Sequence, residues 1–403
     1  MKPIIFLAMI ISIVSCSSTN KDLPELTTTS KTITIKDGDV VHKDAWTVSP
    51  KIELDEFITS KFEDEKQVSF MSDIDTLSFT VEPNNTYDFV IATDGGKALT
   101  RINTDTSKAA SIPQKKVLEY FTDSKKNKPS LDTIPFTLGD DNRIHVKGKI
   151  NMSDTLDFIF DTGANAIVIT SSLIGNQVVL ELDGESENKG SDGTHTVKTS
   201  SSNQLEIENL NWDDVSILSI DYQNRSFEGV LGWIAFENKI VEIDYENSIL
   251  IIHKSLKTVS PNYTKVDTKM IRGVPYIKTT ISTGDKVSTG WFEYDTGSNG
   301  SISMSQKYAL KNGLNGVMEK VGTAVSSGSN GEEVILNMHK LPKMQFGGFE
   351  VNEVPLFIAE KDPEGVEHND LLGNNILKRF NAVIDFGRYE IYLKPNTLLD
   401  TDY

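Results

Sequence analysis

The sequence predicts an all-β protein in which a small antiparallel sandwich precedes two copies of one β-rich lobe. Three observations carry this. Short alternating apolar runs are separated by Gly, Pro, Asn and Asp turn signals. A block containing Asp161-Thr162-Gly163 returns 134 residues later as Asp295-Thr296-Gly297, a domain-sized period too long for a solenoid. Its surroundings return too. Gly229-Val230-Leu231-Gly232-Trp233 in the first copy answers Asp370-Leu371-Leu372-Gly373-Asn374 in the second. Each is followed by a short helical stretch and an Asp 12 residues beyond the Gly, Asp244 and Asp385.

The chain has 403 residues, enough for two or three domains and a sizeable core. Its formal charge of −18 argues against nucleic acid held in a basic groove and fits a solvated acidic surface. A mean hydropathy of −0.28 fits a soluble globular body.

Met1-Lys2 and an apolar run over residues 4–14 predict a secretory signal, too short for a membrane span. The run ends Ile13-Val14-Ser15-Cys16. Cys16 is the only cysteine, so the mature chain has no disulfide and no cysteine nucleophile. The sequence Ile13-Val14-Ser15-Cys16 resembles the bacterial lipobox. That resemblance implies a signal peptide over residues 1–16, lipid on Cys16 and a membrane-anchored lipoprotein, periplasmic or on the cell surface. A plain secretory signal or uncleaved anchor is the alternative. Residues 17–30 are polar and read as a tether.

Residues 31–106 read as the sandwich, with strands around Lys31-Thr32-Ile33-Thr34-Ile35, Gln67-Val68-Ser69-Phe70, residues 76–81, 87–91 and 98–102. It holds no catalytic constellation, and a spacer or docking module is the expectation. Residues 107–130 read as a Lys- and Ser-rich linker with a helical turn or two near Lys116 to Phe121. Lobe one is expected over residues 131–257. Lobe two follows over 262–397, after a connector with Pro261. Each lobe is expected to carry one short helix after its Leu-Gly.

The paired Asp-Thr-Gly and Leu-Gly motifs, in this order, resemble those of aspartic peptidases of the pepsin and retropepsin clan, over about residues 131–395. The resemblance implies a bilobal pepsin/retropepsin-like β-barrel fold and an Asp161/Asp295 dyad that hydrolyses peptide bonds. The compact lobes look closer to a fused retropepsin pair, and no residue matches the flap tyrosine of pepsins. Metal-free peptide hydrolysis needs an activated water and a polarised carbonyl. Two close carboxylates sharing one proton supply both.

Gly163 and Gly297 permit the tight turn and turn their N–H groups on the carboxylates. By resemblance, Thr162 and Thr296 bond across to the opposite lobe, and Leu231-Gly232 and Leu372-Gly373 pack behind the loops. Ser298 stands where lobe one has Ala164. Its hydroxyl is expected to donate to Asp295, placing the charge on Asp295 and the proton on Asp161. Candidate flaps that bind substrate are the hairpins bearing Gly190 and Gly193 in lobe one and Ser327 and Gly328 in lobe two, with plain surface hairpins as the alternative.

No cofactor or metal is expected: the six His show no ligand spacing, and neither a Gly-x-Ser-x-Gly elbow nor a phosphate loop is present. Asp244 and Asp385 read as hairpin-turn acceptors. The expected partners are a peptide substrate and, through Cys16, a membrane, but no nucleic acid. One chain supplies both halves, so a monomer suffices. The contrasting reading is a catalytically silent surface lipoprotein that binds peptide or glycan.

Overall fold

Alternating apolar residues decide which face of each N-terminal strand is buried. In Thr32–Asp37 the inward residues are Ile33 and Ile35; in Lys66–Met71 they include Val68 and Phe70. The computed structural model describes residues 23–30, 32–48, 54–93, 96–105, 118–122, 131–222, 226–271, 274–364 and 370–403. The signal segment, Cys16 and the first part of the tether lie outside the described residues. Among those residues no helix is long and apolar enough to cross a membrane. The chain divides into two compact units, 1–114 and 115–403.

The first unit is a sandwich of two four-stranded sheets. One runs in the order Glu25–Thr27, Thr86–Thr93, Gly96–Asn103, Asp55–Ile58. The other runs Val40–Thr47, Thr32–Asp37, Lys66–Met71, Thr76–Val81. Phe57, Phe70 and Phe89 fill the space between them, with the Phe70 and Phe89 ring centroids 4.7 Å apart. Burying each such ring is worth about 1.5–3 kcal/mol. The sandwich is not wholly antiparallel. Its edge strands Glu25–Thr27 and Asp55–Ile58 run parallel to their neighbours. Asp55–Ile58 follows a strand of the opposite sheet and Glu25–Thr27 precedes one, and period-two alternation is the same for either strand direction.

In the second unit the repeat becomes two sheets of matching order. Lobe one runs Ile144–Ile150, Leu156–Asp161, Gly229–Gly232, Ile167–Thr170, Leu210–Ile220, Gly193–Ile207, Gly184–Gly190. Lobe two runs Val274–Thr283, Lys286–Asp295, Leu371–Gly373, Ile302–Met304, Phe349–Ala359, Glu333–Phe346, Lys320–Ser327. Ile144–Ile150 also pairs with Gly193–Ile207, and Val274–Thr283 with Glu333–Phe346, so each sheet curls back on itself. The described residues are nearly all β, and the second unit is built of two lobes.

A six-stranded sheet joins the lobes, three strands from each side. Its middle pair is Ile240–Asp244 against Phe380–Asp385, with Ile240 opposite Asp385 and Ile243 opposite Ala382. Asp244 and Asp385 close the hairpins that flank this seam. Asp244 Oδ1 accepts the N–H groups of Glu246 and Asn247 at 3.1 and 3.2 Å. Asp385 Oδ1 accepts those of Gly387 and Arg388 at 3.0 and 2.9 Å.

The chain departs from expectation in further places, and Glu25–Thr27, within the expected tether over 17–30, is already a strand of the sandwich. Tyr120–Thr122, within the expected linker, adds an edge strand to Leu210–Ile220 instead of turning as a helix; most other linker residues lie outside those described. Tyr120 is held there by its ring against Trp212 at 5.5 Å and its hydroxyl on Asp132 at 2.9 Å. After Leu-Gly, lobe one forms the 3-10 turn Trp233–Phe236, whereas lobe two forms the helix Asn374–Leu377. A further helix, Gln306–Lys311, starts at Ser305, whose hydroxyl caps the Tyr308 N–H at 3.1 Å.

Candidate active site

Each Asp-Thr-Gly ends a strand whose alternate residues face opposite ways. In Leu156–Asp161, Phe158 and Phe160 enter the main core and leave Asp161 on the other face. In Lys286–Asp295, Phe292 and Tyr294 do the same for Asp295. Each loop is then propped from behind. Asp161 pairs with Gly232 and Asp295 with Gly373 in parallel register. The N–H of Trp233 bonds the Ala164 carbonyl at 3.1 Å; that of Asn374 bonds the Ser298 carbonyl at 2.7 Å. A Cβ on Gly232 would stand 2.2 Å from the Ala166 oxygen, and one on Gly373 2.3 Å from the Gly300 oxygen, so both glycines are required by contact.

The loops meet across the lobes. Thr162 N–H donates to Thr296 Oγ1 and Thr296 N–H to Thr162 Oγ1, both at 3.0 Å. Thr162 Oγ1 donates to the Tyr294 carbonyl at 2.5 Å, and Thr296 Oγ1 to the Phe160 carbonyl at 2.8 Å. Both threonines are fully buried. This closed ring of four bonds holds two loops that are 134 residues apart in the chain.

Asp161 and Asp295 are thereby brought together and hydrogen-bond each other while keeping partial solvent access. A methyl on Gly163 would lie 2.9 Å from Asp295 Oδ1, and one on Gly297 2.3 Å from Asp161 Oδ2. Gly163 N–H donates to Asp161 and Gly297 N–H to Asp295, each at 2.8 Å. Asp295 receives one more donor, the backbone N–H of Ser298 at 3.1 Å. The side-chain hydroxyl of Ser298 makes no such bond, which corrects the sequence expectation. The extra donor at this position is main chain, so its bond does not depend on the side chain being Ser.

Burial, then the charge of Asp295, pushes Asp161 well above the usual carboxylate range. Burial raises Asp295 too, but the Asp161 hydroxyl and the Gly297 and Ser298 N–H groups oppose it. More hydrogen-bond donors therefore oppose the upward shift at Asp295 than at Asp161.

Several site residues carry no local signal in the sequence. Arg143 reaches from lobe one to donate Nε to the Gly297 carbonyl at 2.6 Å, and its charge draws both aspartates down. Asp141 holds Arg143 at 3.1 Å. It also accepts from Ser226 at 2.8 Å and bonds His145 at 3.0 Å. Burial opposes ionisation of Asp141, but its bonds to His145, Ser226 and Arg143 win and hold it well below the carboxylate range. His145 also bonds Asp157, at 2.9 Å, and Asp157 followed by Asp141 raises its pKa. Glu293 stands beside the dyad. Strand alternation two residues before Asp295 was the signal for it.

The two expected flaps meet at their tips. The lobe-one hairpin closes at Gly190 and Gly193. Its tip residue Asp192 is buried and accepts N–H groups of Asn330, at 3.1 and 3.2 Å, and Glu332, at 3.0 Å, from the lobe-two hairpin. Asn188 Nδ2 donates to Ser329 Oγ at 2.8 Å and to Asn330 Oδ1 at 3.0 Å. A Cβ on Gly190 would lie 2.3 Å from Ser329 Oγ, and one on Gly328 2.5 Å from Asp192 Oδ1. Ser327 ends the strand that leads into this junction. A cavity of about 580 Å³ flanks it, lined by Asp192, Glu332, Glu333, Glu360, Asp362 and Glu364, with His195 and Lys361 as its basic members. Among the described residues no group of three His, Cys, Asp or Glu is arranged to hold a metal ion.

No curated protein matches this chain. An aspartyl protease family model matches it twice, over residues 146–234 and 277–376, each match spanning one Asp-Thr-Gly and its Leu-Gly. With the fold, these two matches support a pepsin- or retropepsin-like aspartic protease.

Proposed function

We propose that the chain is an aspartic endopeptidase whose dyad is Asp161 and Asp295. The observation that carries this is the mutual hydrogen bond of two carboxyls with unequal donors, held by the Thr162–Thr296 ring. Ionised Asp295 takes a proton from a water poised over the dyad as its oxygen attacks the scissile carbonyl carbon. Protonated Asp161 donates to the carbonyl oxygen. The resulting gem-diol collapses as one of its hydroxyls returns a proton to Asp161 and the amine leaves with a proton from Asp295, breaking the C–N bond. Arg143 keeps the Gly297 turn, and hence the Asp295 donors, in place. The joined hairpins act as a lid that must part for a peptide to enter.

No metal or cofactor takes part in this reading, and one chain supplies both loops, so a monomer is active. We further propose that Cys16 carries lipid and holds the enzyme to a membrane, with the residues from 17 up to the strand Glu25–Thr27 as tether and the sandwich that this strand joins as spacer or docking module.

The test is cleavage of a diverse peptide pool by the chain lacking residues 1–16, across acid to neutral pH. Asp161→Asn and Asp295→Asn are each expected to lower kcat/KM by at least about 10³-fold with the thermal midpoint retained. Undiminished cleavage by either variant, or none by wild type at any pH, overturns the reading; the second outcome turns the fold into a binder.

A further inference from the structure

Strand periodicity places the residue two before each aspartate on the same face as that aspartate. In lobe one this residue is Ile159, which packs with Val168, Ile220, Phe227 and Val230 in a small apolar cluster separate from the main core. In lobe two it is Glu293. Its Oε1 lies 2.7 Å from where a Cβ on Gly163 would stand, and that same point lies 2.9 Å from Asp295 Oδ1. Tyr276 donates its hydroxyl to Glu293 Oε2 at 3.2 Å. A third carboxyl therefore adjoins the dyad on one side only, and the hydrolysis proposed above does not use it.

A carboxyl in such a place is costly without a function. The groups that face it are Asp295 on its own strand, Asp161 from the other lobe and Tyr276 from the neighbouring strand. Burial, then the charges of Asp295 and Asp161, pushes the Glu293 carboxyl well above the usual carboxylate range. Arg143 acts on the two aspartates but does not bond Glu293. The chemistry that reverses this is a cation supplied from outside. The six-stranded seam relates the lobes by an approximate twofold. A peptide whose carbonyl sits on the dyad therefore presents one flanking side chain to Ile159 and the other to Glu293. The carboxylates lining the cavity beside the flap tips, and the net charge of −18, favour a cationic peptide on approach.

We propose that Glu293 selects substrates with a lysine or arginine beside the scissile bond, pairing with the cationic head, while Ile159 and its apolar neighbours accept an uncharged side chain on the other flank. This rests on the aspartic-endopeptidase reading, and its test separates the two. Four hydroxyethylene peptides, with lysine or norleucine on either side of the uncleavable bond, are titrated calorimetrically into wild type and Glu293→Gln. At one flank lysine is expected to bind wild type about 10–100-fold tighter than norleucine. Glu293→Gln is expected to shrink that preference to within about threefold. Lack of a lysine preference in wild type at either flank, or its survival in Glu293→Gln, overturns the inference. A lysine preference without cleavage of the matching amides leaves the site assignment standing and overturns the peptidase reading. Cleavage without it does the reverse.

Discussion

Behind the catalytic loops the two lobes solve one packing problem in different chemistry. Lobe one sends Trp233 across the seam, where its ring stacks on Phe386 of lobe two at 5.1 Å and 22°. The matching residue of lobe two is Asn374, and it sends an amide: Asn374 Oδ1 accepts the Tyr245 hydroxyl at 2.6 Å. Gly229 in lobe one, pressed against the Phe158 ring, is matched by Asp370 in lobe two. That carboxylate is buried and accepts Ser305 N–H at 2.8 Å and Ser305 Oγ–H at 3.1 Å. The threonine ring between the loops is the same in both directions. The threonine contacts that join the two loops have stayed symmetric, whereas the contacts behind the loops have diverged, since packing tolerates exchange where total volume and polar satisfaction are kept.

The largest expected effect probes the symmetric part. Thr162→Val and Thr296→Val each remove a hydroxyl that both accepts and donates in the buried ring and leave an N–H and a carbonyl unsatisfied. Each is expected to cost about 2–4 kcal/mol in urea unfolding and to reduce cleavage sharply, with Thr→Ser restoring both. The two costs should agree within about 0.5 kcal/mol. A mild effect in one lobe alone would break the symmetry claimed here.

The next effect sharpens the asymmetric part. Burial holds Asp370 up at about 6, against the opposing Ser305 donors. An acid whose folded pKa lies above its unfolded value of 3.8 binds protons more tightly when folded. Its contribution is therefore most favourable below about pH 4 and is lost as pH rises to about 6, by on the order of 3 kcal/mol. Unfolding curves at pH 4 and pH 7 should show this difference between wild type and Asp370→Asn, whose own stability should vary less over that range. Lobe one, with Gly229 there, has no counterpart.

The smallest effect concerns Ser298. Because Asp295 is served by the Ser298 backbone and not by its hydroxyl, Ser298→Ala should move the acidic limb of the pH–rate profile by less than about 0.3 unit. A larger shift would restore the hydroxyl to the role that the sequence suggested.

Much of the frame was readable in advance. The two Asp-Thr-Gly blocks, the Leu-Gly pairs and the turn-closing Asp244 and Asp385 are local patterns, and local patterns repeat visibly when a unit is duplicated. The Gly190–Gly193 and Ser327–Gly328 loops were readable as hairpins from their turn residues. That Asp192 would bury itself under the Asn330 and Glu332 amides was not. Nor was the parallel pairing of Glu25–Thr27 and Asp55–Ile58, or the edge strand at Tyr120–Thr122, because strand direction and partner leave no trace in alternation.

What the sequence determined by itself was the duplicated all-β lobe and the two aspartates at equivalent strand ends, since periodicity and glycine turns act over a few residues. Only the tertiary structure decided which charges share their site. Arg143 bonds a carbonyl 154 residues away, and His145 sits between Asp141 and Asp157. Glu293 joins the dyad through the opposite loop's Gly163. Electrostatics and hydrogen bonding act through distance in space, and the chain sets those distances only once both lobes have closed on their common seam.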